Sequence, residues 1–514
     1  MCGILFVLNP PKESTFSERL DTLRKRGPDE YHIISGDNYI MGHTRLCITR
    51  PMLGKQPIVQ TPWLMVHNGE IYNEEAVTNE SDSYYIMKMI STHGTRKTPI
   101  LLDGIFAYCA YNTETGELSA ARDTIGVIPL YWAMQGESLW VSSELKALKG
   151  MRAQILPPGY TLNEHGNLEC FKIEFPQVIP TGKYTNGAIV EILRQSVTKR
   201  LHLEVPWGVL LSGGLDSSII AALIDDNIDE CEVSWKGMHT FSCGIEGSED
   251  LKYAREIAMF FPSNEHHEFI FTVDEGIAAL REVIYAIESY DVTTVRASVP
   301  MYLLGKYVKK CGVKVLFSGE GADELFAGYL YNKWCPSREE MHAESITKVE
   351  RLHLHDCLRA NKSLACHGIE CRVPFLDRNV VNYAMRYLDP SEKMTTPTKE
   401  ILRKDFHLFL PEIAVHRRKE QFSDGVGNEW IDGLKKHSEM MYPDISDAEK
   451  RYPYQTPQTA EAYLYRTIFQ ELFGNESEET VFYSDETCAC SSERGRQWND
   501  SFTNDPSAKQ LEGL

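Results

Sequence analysis

The feature that most constrains the fold is a strand-then-helix rhythm that begins after about Tyr184. Short apolar runs at Trp207–Leu211, His239–Ile245 and Val313–Phe317 each end in a loop, and helical-looking segments follow the first two. Strands that alternate with helices predict a parallel sheet, and ligands of such sheets bind beside the carboxyl ends of the strands. We therefore expect a binding site in the loops that follow these runs.

The first third of the chain has a different pattern. Short apolar runs broken by turn residues, such as Ile4–Leu8 and Ile105–Tyr111, predict a mainly β region with a few helices. Prolines and a glycine between Glu174 and Gly182 indicate a linker, and the chain from Glu344 to roughly Glu471 is largely helical in pattern. We predict an α/β and α+β protein with two domains, residues 1–180 and 184–490, and a flexible tail over 491–514.

The charge balance and the cysteine content limit the classes of protein that fit. With 53 basic against 73 acidic residues the net charge is −20, which argues against a nucleic acid or an anionic membrane as the main partner. The 13 cysteines are odd in number and lack a repeating spacing, as expected of reduced thiols in the cytosol. The N-terminus lacks the basic region of a signal peptide, and no apolar run reaches about 18 residues, so we expect a soluble, cytoplasmic protein.

The cysteine at position 2 is a candidate nucleophile. If Met1 is removed, the Cys2 thiol and a free α-amino group belong to one residue. An α-amino group titrates near roughly 8, so it can take the proton of the thiol without a separate histidine. The alternative is a small apolar residue that opens a β-strand, and position alone favours that alternative.

Four further motifs reverse this preference. They follow Cys2 in order and are Lys25-Arg26-Gly27-Pro28-Asp29, Gly42-His43-Thr44-Arg45-Leu46, His67-Asn68-Gly69-Glu70-Ile71-Tyr72-Asn73 and Ser81-Asp82-Ser83. With Cys2, this set resembles the glutamine amidotransferase domain of the N-terminal nucleophile hydrolases, which is an αββα sandwich. The resemblance implies that Cys2 attacks the side-chain amide of glutamine. It also implies that the Asn68 side chain and the Gly69 backbone N–H stabilise the oxyanion.

The same resemblance implies how glutamine binds. Arg45 would hold the substrate α-carboxylate by a two-pronged contact and Asp82 would pair with its ammonium, whereas the alternative for either is a surface ion pair. The implied pocket comprises Arg45, Leu46, Cys47, Ile48, Thr49, Asn68, Gly69, Glu70 and Asp82. The chain departs from the family pattern at Lys25, where histidine is common, and in the short segment between Asn73 and Asp82.

The loop after the first strand of the predicted parallel sheet is a candidate phosphate site. Its sequence is Leu211-Ser212-Gly213-Gly214-Leu215-Asp216-Ser217-Ser218. Glycines let backbone N–H groups approach phosphate oxygens, and a helix N-terminus adds free donors. The ending of a Walker loop is absent, and the loop instead resembles the pyrophosphate loop of enzymes that split ATP into AMP and pyrophosphate. The resemblance implies that Ser212, Gly213, Gly214, Ser217 and Ser218 bind ATP and that Asp216 helps place Mg²⁺. The alternative is that the Gly-Gly segment is a simple turn and that Asp216 is a helix N-cap.

The loop after Val313–Phe317 places acidic groups at another strand end. Its sequence is Ser318-Gly319-Glu320-Gly321-Ala322-Asp323-Glu324. Together with Asp291–Ser298, Arg372–Asp377 and Arg418–Gly427, it resembles the glutamine-hydrolysing asparagine synthetases. The second domain of that family is a parallel-sheet ATP-pyrophosphatase domain with a helical C-terminal part, and the resemblance runs from Cys2 to about residue 490.

This resemblance implies further roles at the second site. Glu320 would be catalytic in forming a β-aspartyl-adenylate and Asp323 would be a second Mg²⁺ ligand, with helix capping as the alternative for both. Arg296 would bind the aspartate carboxylate unless it forms a structural ion pair. Lys419 would neutralise pyrophosphate unless it is one charge of a solvated run. The implied nucleotide site further contains Leu211, Cys243, Ser318 and Gly319.

The activity implied by the resemblance is that of a ligase. Glutamine is hydrolysed to glutamate and ammonia, aspartate is adenylated with MgATP, and ammonia converts the adenylate to asparagine with release of AMP. A homodimer is implied in the same way. Two alternatives are an ATP-dependent amidotransferase or cyclising ligase acting on another carboxylic acid, and a non-catalytic relative. The groups Cys366-His367 with Cys371, His353 with His355, and Cys488-Ala489-Cys490 do not supply a four-ligand zinc set.

Overall fold

The computed structural model describes residues 1–13, 15–49, 53–78, 81–227, 237–420, 422–481 and 491–499. The chain divides into two compact units. The first unit consists of Met1–Ile173, Leu352–Glu370 and Phe469–Phe482, and the second of Glu174–Arg351, Cys371–Ile468 and Tyr483–Leu514. Across the described residues, no helix is both long and apolar enough to cross a membrane.

The strands of the described residues are numbered in chain order. They are β1 (Gly3–Leu8), β2 (Glu30–Ser35), β3 (Tyr39–Arg45), β4 (Ile58–Gln60), β5 (Trp63–Ile71), β6 (Gly104–Asn112), β7 (Leu118–Arg122), β8 (Tyr131–Gln135), β9 (Ser138–Ser142), β10 (Gln154–Ile155), β11 (Tyr160–Leu162), β12 (Leu168–Cys170), β13 (Trp207–Leu210), β14 (Met238–Gly244), β15 (Asn264–Ile270), β16 (Val315–Phe317) and β17 (Glu370–Arg372).

The α-helices of the described residues are numbered in the same way. They are α1 (Phe16–Asp21), α2 (Glu74–Thr78), α3 (Asp82–His93), α4 (Thr98–Leu101), α5 (Ala188–Thr198), α6 (Leu215–Asp225), α7 (Glu249–Ala258), α8 (Val273–Ile287), α9 (Val292–Lys310), α10 (Ala322–Phe326), α11 (Arg338–Arg351), α12 (Asp356–Ala365), α13 (Arg378–Asn382), α14 (Glu400–Phe406), α15 (Glu412–His416), α16 (Phe422–Gly425), α17 (Asn428–Met441), α18 (Ala448–Arg451), α19 (Ala460–Phe473) and α20 (Glu493–Arg496).

Two six-stranded sheets form the framework of the first unit. Their strand orders are β10-β8-β9-β1-β3-β2 and β12-β11-β7-β6-β5-β4. β1 pairs antiparallel with β3 and β9, and β6 pairs antiparallel with β5 and β7. All of β1 and nearly all of β6 are buried, because both are apolar strands in the middle of their sheets. Cys2 immediately precedes β1, so it lies at the end of a central strand.

A five-stranded sheet, in the order β15-β14-β13-β16-β17, forms the centre of the second unit. β13 pairs in parallel with β14 and β16, and β14 pairs in parallel with β15. The parallel sheet predicted from the strand-then-helix rhythm is therefore confirmed. The strands β13 and β16 are short and apolar, as expected of strands covered on both faces. The edge strand β15 is polar, which discourages further strand pairing.

A late segment of the chain lies in the first unit. Helix α12 falls within Leu352–Glu370, and it buries the side chains of Asn361 and Lys362. Asn361 donates to the carbonyl of Val127 at 3.2 Å, and Lys362 donates to the Tyr131 hydroxyl at 2.7 Å. Buried polar groups need such partners, and here residues far away in the sequence provide them.

Part of the predicted flexible tail is described. Residues 491–499 contain α20, which is capped by the Ser492 side chain, and the Trp498 ring lies 5.9 Å from the ring of Tyr331. Residues 500–514 lie outside the described residues, as do Cys488 and Cys490. The flexibility expected of the rest of the tail stays a prediction.

Candidate active sites

The backbone of Cys2 is held from two sides. Its N–H donates to Oδ1 of Asn68 at 2.7 Å, and its carbonyl accepts from Nε of Arg26 at 2.9 Å. The Cys2 thiol lies 3.9 Å from the carbonyl of Leu46. With Met1 in place, burial raises the pKa of this thiol to about 11. The thiol therefore needs an adjacent base to become a nucleophile near neutral pH.

Asn68 and Gly69 lie on β5 beside Cys2. Asn68 is fully buried, and its Nδ2 has no hydrogen-bond partner in the described part of the chain. An unsatisfied buried donor costs free energy, and it is available to a substrate oxygen. Gly69 has a φ of 128°, and a Cβ there would lie 2.0 Å from the carbonyl oxygen of Ile105. This position therefore requires glycine.

Arg26 holds the backbone of the candidate nucleophile Cys2, although sequence reasoning gave Arg26 no role. Besides the Cys2 carbonyl, it donates to Oε1 of Glu144 at 2.7 Å and to Oδ1 of Asn361 at 3.2 Å. Burial opposes the charge on Glu144, but Lys146 and Arg26 outweigh burial and lower its pKa to about 2. The place of Arg26 in the first of the four motifs is the signal that could have identified it.

Arg45 ends β3 opposite Glu30, the first residue of β2. Its Nη1 donates to Oε2 of Glu30 at 3.0 Å. An ion pair is therefore present, but Arg45 is buried and the pair is not the surface ion pair that was the alternative for this residue. Its role in holding a carboxylate stays a prediction. The residues that follow Arg45 alternate in exposure, with Leu46 and Ile48 buried and Cys47 and Thr49 partly buried. Glu70 of β5 is buried as well.

Asp82 begins α3 and reaches the end of β5. Its Oδ2 accepts from the N–H of Ile71 at 3.3 Å, and its Oδ1 accepts from the N–H of Ser83 at 2.7 Å. The short segment after Asn73 thus still brings this carboxylate next to the strand that carries Gly69. Its pairing with the substrate ammonium stays a prediction.

Two buried histidines stabilise this part of the first unit. Nε2 of His43 lies 3.1 Å from the carbonyl oxygen of His67, and Nδ1 of His67 lies 3.0 Å from the hydroxyl of Ser83. Burial lowers the pKa of His43 to about 3 and also lowers that of His67. Both rings are therefore neutral near neutral pH, and their contacts hold β5 against β3 and α3.

In the second unit, the loop between β13 and α6 folds around its own backbone. Ser212 Oγ lies 3.2 Å from Ser217 Oγ and accepts from the Gly214 N–H at 3.3 Å, while Ser218 donates to the Gly214 carbonyl at 2.8 Å. Gly213 has a φ of 76°, and a Cβ there would lie 2.6 Å from neighbouring backbone. A Cβ at Gly214 would approach Ser212 Oγ at 3.3 Å and no other atom of the described residues within 4 Å. The backbone at Gly214 is therefore open to a ligand.

The loops after β13 and β16 touch, because these strands are neighbours in the sheet. A Cβ at Gly319 would lie 2.9 Å from the Cβ of Asp216 and 3.1 Å from the nitrogen of Ser217. Glu320 follows and is partly buried, and Gly321 then turns the chain with a φ of 93°. The structure thus brings Glu320 to the same end of the sheet as the serine-glycine loop.

Carboxylates and ammonium groups alternate beside these loops. Nζ of Lys399 lies 2.7 and 2.6 Å from the two carboxylate oxygens of Asp216 and 2.6 Å from Oδ1 of Asp323. Nζ of Lys419 lies 2.5 Å from Oδ2 of Asp323. Burial opposes ionisation of Asp323, but Lys399 and Lys419 outweigh it and hold its pKa well below the usual range. Burial likewise opposes the charge on Lys419, yet Asp323 and Asp216 raise its pKa.

Sequence reasoning missed Lys399 and Arg417 at this site. Lys399 immediately precedes α14 and is 3% exposed. Arg417 donates to the Ser212 carbonyl at 2.7 Å, to Oδ1 of Asp250, and to Oε2 of Glu420 at 3.0 Å. Burial raises the pKa of Asp250 to about 6, although Arg417 opposes the shift. Arg417 opens a run of charges typical of a solvated surface, so the sequence gave no signal of its burial.

Leu211, Cys243 and Ser318 lie buried at the carboxyl ends of three neighbouring strands. The N–H of Leu211 donates to the carbonyl of Phe241 at 2.9 Å, which extends the sheet. The Cys243 thiol donates to the carbonyl of Pro300 in α9 at 3.7 Å, and burial raises its pKa well above the usual range. The side chain of Cys243 is therefore an unreactive packing group, and its backbone is what a nucleotide could contact.

Arg296 lies in α9 and is buried in an ion pair. Its Nε and Nη2 donate to the two carboxylate oxygens of Glu461 at 2.8 and 2.5 Å. Tyr465 donates to the same carboxylate at 2.9 Å, and Trp430 donates to the Arg296 carbonyl at 3.1 Å. The structural ion pair, which the sequence left as the alternative, is thus what the structure contains. A role in binding aspartate stays a prediction.

These two arrangements define a class of protein. A cysteine at position 2 beside an unpartnered buried amide donor is suited to glutamine hydrolysis, and the serine-glycine loop with its carboxylates and lysines is suited to ATP. Together they describe an ATP-dependent amidotransferase with a glutaminase unit and a synthetase unit.

The family model described as a glutamine amidotransferase domain matches residues 1–156, and that described as asparagine synthase matches residues 188–340 and 332–493. An asparagine synthetase [glutamine-hydrolyzing] of Zea mays is 41% identical over 99% of this chain and 93% of its own length. Asparagine synthetase [glutamine-hydrolyzing] 3 of Arabidopsis thaliana is 39% identical over 100% of this chain and 95% of its own. The chain belongs to the glutamine-hydrolysing asparagine synthetases.

Among solved structures, glutamine phosphoribosylpyrophosphate amidotransferase from B. subtilis, complexed with ADP and GMP, is a distant match. The two sequences are 16% identical. The match covers 52% of this chain and 81% of the B. subtilis chain, with a TM-score of 0.31.

Proposed function

We propose that this protein makes asparagine from aspartate, with glutamine as the nitrogen donor and ATP as the activating substrate. One observation carries the proposal: a single chain holds both the Cys2–Asn68 contact and the Asp216–Lys399–Asp323 cluster beside a serine-glycine loop. A binding or storage protein has no need of both chemistries. An amidotransferase that makes its own ammonia needs both.

The glutamine reaction takes place at Cys2. With Met1 in place, the backbone nitrogen of Cys2 donates to Asn68. After removal of Met1, this nitrogen is a free α-amine, which can accept the proton of the thiol. The thiolate attacks the amide carbon of glutamine, and the C–N bond breaks as the α-ammonium returns its proton to the nitrogen, which leaves as ammonia. Water then hydrolyses the thioester to glutamate and regenerates the Cys2 thiol. Nδ2 of Asn68 and the N–H of Gly69 donate to the oxyanion. Arg45 and Asp82 bind the α-carboxylate and the ammonium of glutamine.

The synthesis takes place at the carboxyl ends of the parallel strands. A β-carboxylate oxygen of aspartate attacks the α-phosphorus of ATP, and pyrophosphate leaves along the serine-glycine loop toward Lys419. Glu320 is the catalytic carboxylate of this step. Ammonia then attacks the acyl carbon of the adenylate, the C–O bond to phosphate breaks, and AMP leaves with its electron pair while the nitrogen loses a proton.

Magnesium would accompany ATP at this site. The donor set fits, because Asp216 and Asp323 offer oxygen ligands and both carboxylates contact the same Lys399 ammonium, so they lie close to one another. When bound, Mg²⁺ neutralises phosphate charge. Lys399 lies between the two carboxylates, and Lys399 and Lys419 together lower the pKa of Asp323, so this carboxylate is ionised and able to bind a cation.

The cellular setting is also part of the proposal. The cysteine content supports a cytoplasmic location, since the 13 cysteines are odd in number and lack the repeating spacing of a disulfide framework. The family resemblance supports a homodimer, which light scattering of the purified protein would test.

The experiment is a product assay with purified protein, Mg²⁺, ATP, aspartate and glutamine. We expect asparagine, glutamate and AMP in equal amounts, and asparagine again when ammonium chloride replaces glutamine. Formation of ADP in place of AMP, or consumption of ATP with a carboxylic acid other than aspartate in preference to aspartate, would contradict the proposal. Omission of each substrate in turn is the control.

A further inference from the structure

A cluster of two imidazoles and one carboxylate lies on the edge of the parallel sheet, in a place that neither reaction uses. His239 belongs to β14, and Glu265 and His267 belong to the edge strand β15. Nδ1 of His239 lies 2.9 Å from Nε2 of His267, and these nitrogens lie 4.0 and 3.7 Å from the carboxylate oxygens of Glu265. All three donor atoms lie within 4.8 Å of one another.

The strand pairing explains why these side chains meet. The parallel register places His239 opposite Glu265 and Phe241 opposite His267, so all of them project from one face of the two strands. The His267 ring stacks on Phe241 with centroids 4.7 Å apart and planes 12° apart. The two imidazoles are 13% and 17% exposed, and the Glu265 side chain is 68% exposed. The rings are therefore held in place, while the carboxylate is free to adjust.

We propose that His239, His267 and Glu265 form a binding site for a zinc-like divalent cation, on the edge strand β15 and its neighbour β14. Two imidazole nitrogens and one carboxylate oxygen are a ligand set that Zn²⁺ accepts, with water in the fourth position, whereas Mg²⁺ prefers oxygen ligands alone. The exposure of Glu265 gives the ion a path from solvent.

The distances fit this ion after small movements. Zn–N bonds of roughly 2.0–2.1 Å in a tetrahedral site place two nitrogens about 3.3 Å apart. The imidazole nitrogens would have to separate by about 0.4 Å, and the Glu265 oxygen would have to move inward by a similar or slightly larger amount. In the ion-free protein one nitrogen donates a hydrogen bond to the other, and the cation would replace the shared proton.

The site is separate from the proposed chemistry. None of its three residues has a role in either proposed reaction. At a rise of about 3.3 Å per residue, His239 lies about 13 Å before Cys243 along β14, and His267 lies opposite Phe241, about 7 Å before the level of Cys243. A bound cation would link β14 to β15 and would stabilise the edge of the sheet. It need not affect asparagine synthesis.

The neighbouring His266 is a matched control. It belongs to the same strand but projects from the other face, where its ring nitrogens lie 2.8 and 3.2 Å from the hydroxyls of Thr240 and Ser242. His266→Gln therefore removes an imidazole from the same strand without touching the cluster. Glu265→Gln removes the proposed carboxylate ligand, and the exposure of this side chain makes misfolding of that variant improbable on physical grounds.

The test is a titration of the full-length, reduced protein with Zn²⁺ by isothermal calorimetry, without ATP. We expect His267→Gln to lose one equivalent of Zn²⁺ relative to the wild type and Glu265→Gln to bind that equivalent at least about tenfold more weakly. His266→Gln should retain it. Equal stoichiometry and affinity in all four proteins would overturn the proposal and leave the pair as a histidine–histidine hydrogen bond.

A second readout avoids the background of the cysteines. Diethyl pyrocarbonate modifies accessible imidazoles, and peptide mass spectrometry reports each histidine separately. We expect Zn²⁺ to slow modification of His239 and His267 at least about tenfold, whereas the exposed reference residue His165 should react at an unchanged rate. Unchanged modification of His239 and His267 at saturating Zn²⁺ would also overturn the proposal.

Discussion

At the scale of single residues, the surroundings of a cysteine decide whether its thiol is reactive. Cys2 is an ordinary small residue by its position in the sequence, but the fold places its nitrogen 2.7 Å from Asn68 and leaves Nδ2 of that amide without a partner in the described residues. Cys243 shows the opposite case, since burial against Pro300 makes its thiol unreactive. The same residue type is thus a candidate nucleophile in one place and a packing group in another.

Replacement of the nucleophile separates the two activities. We expect Cys2→Ala to abolish glutamine hydrolysis and glutamine-dependent synthesis, because no thioester can form, while ammonium chloride still supports asparagine formation. The assay measures glutamate and asparagine with each nitrogen donor. The exposed Cys170 provides a matched control, and Cys170→Ala should behave as the wild type. Equal loss of synthesis with both donors in folded Cys2→Ala would refute this division of labour.

At the scale of elements, the candidate phosphate site is a junction between a strand, a turn and a helix. The sequence predicted this loop, because glycines and serines between an apolar run and a helical segment are typical of it. It could not predict that Arg417, from between α15 and α16, donates to the Ser212 carbonyl, or that Lys399 bridges Asp216 and Asp323. Such contacts depend on packing between elements that are far apart in the chain.

The two adjacent glycines of this loop should respond differently to substitution. Gly213 has a positive φ and backbone atoms 2.6 Å from any Cβ, so Gly213→Ala should distort the loop and lower the thermal unfolding midpoint. Gly214→Ala should leave that midpoint nearly unchanged but raise the KM for MgATP at least about tenfold, because the methyl group occupies space that a phosphate would need. Thermal unfolding and ATP kinetics of both variants check this. A folded, fully active Gly213→Ala would contradict it.

The buried lysine between the two carboxylates should be essential for the synthetase site. Lys399→Met leaves Asp216 and Asp323 facing each other without their shared cation, and breaking a buried pair commonly costs about 3 kcal/mol or more. We expect a lower thermal midpoint and loss of synthesis with either nitrogen donor, with some glutaminase activity retained. Lys404→Met, in the helix α14 that follows Lys399, removes a 59% exposed side chain and should change the midpoint by about 1 °C or less. Normal synthesis by Lys399→Met would refute the role assigned to this residue.

At the scale of the whole molecule, the compact units are not continuous along the chain. The segment Leu352–Glu370 follows much of the second unit in sequence but belongs to the first, and Phe469–Phe482 does so too. Within this first unit, Asn361 contacts the same Arg26 that holds the Cys2 carbonyl. A residue from the later half of the chain therefore supports the arginine that holds the candidate nucleophile at position 2.

This contact predicts an effect on glutamine hydrolysis from a substitution in α12. Asn361→Ala removes the acceptor of one Arg26 hydrogen bond and the donor to Val127, so we expect glutaminase kcat to fall about tenfold or more while ammonia-dependent synthesis persists. Asp356→Asn, a change of a partly exposed residue on the same helix, is the control. Glutaminase kinetics of both full-length variants give the measurement. Equal glutaminase activity in wild type and Asn361→Ala would show that Arg26 positions Cys2 without this contact.

The sequence by itself determined the parallel sheet and singled out Cys2 and the serine-glycine loop as candidates, because periodicity, glycine placement and motif order are local properties. Only the tertiary structure decided which charges lie together: Lys399 with Asp216 and Asp323, Arg296 with Glu461, and Arg26 with Glu144 and Asn361. The physical reason is that a buried charge requires a partner. Which partner it finds depends on how distant segments pack, and no local pattern in the sequence records that choice.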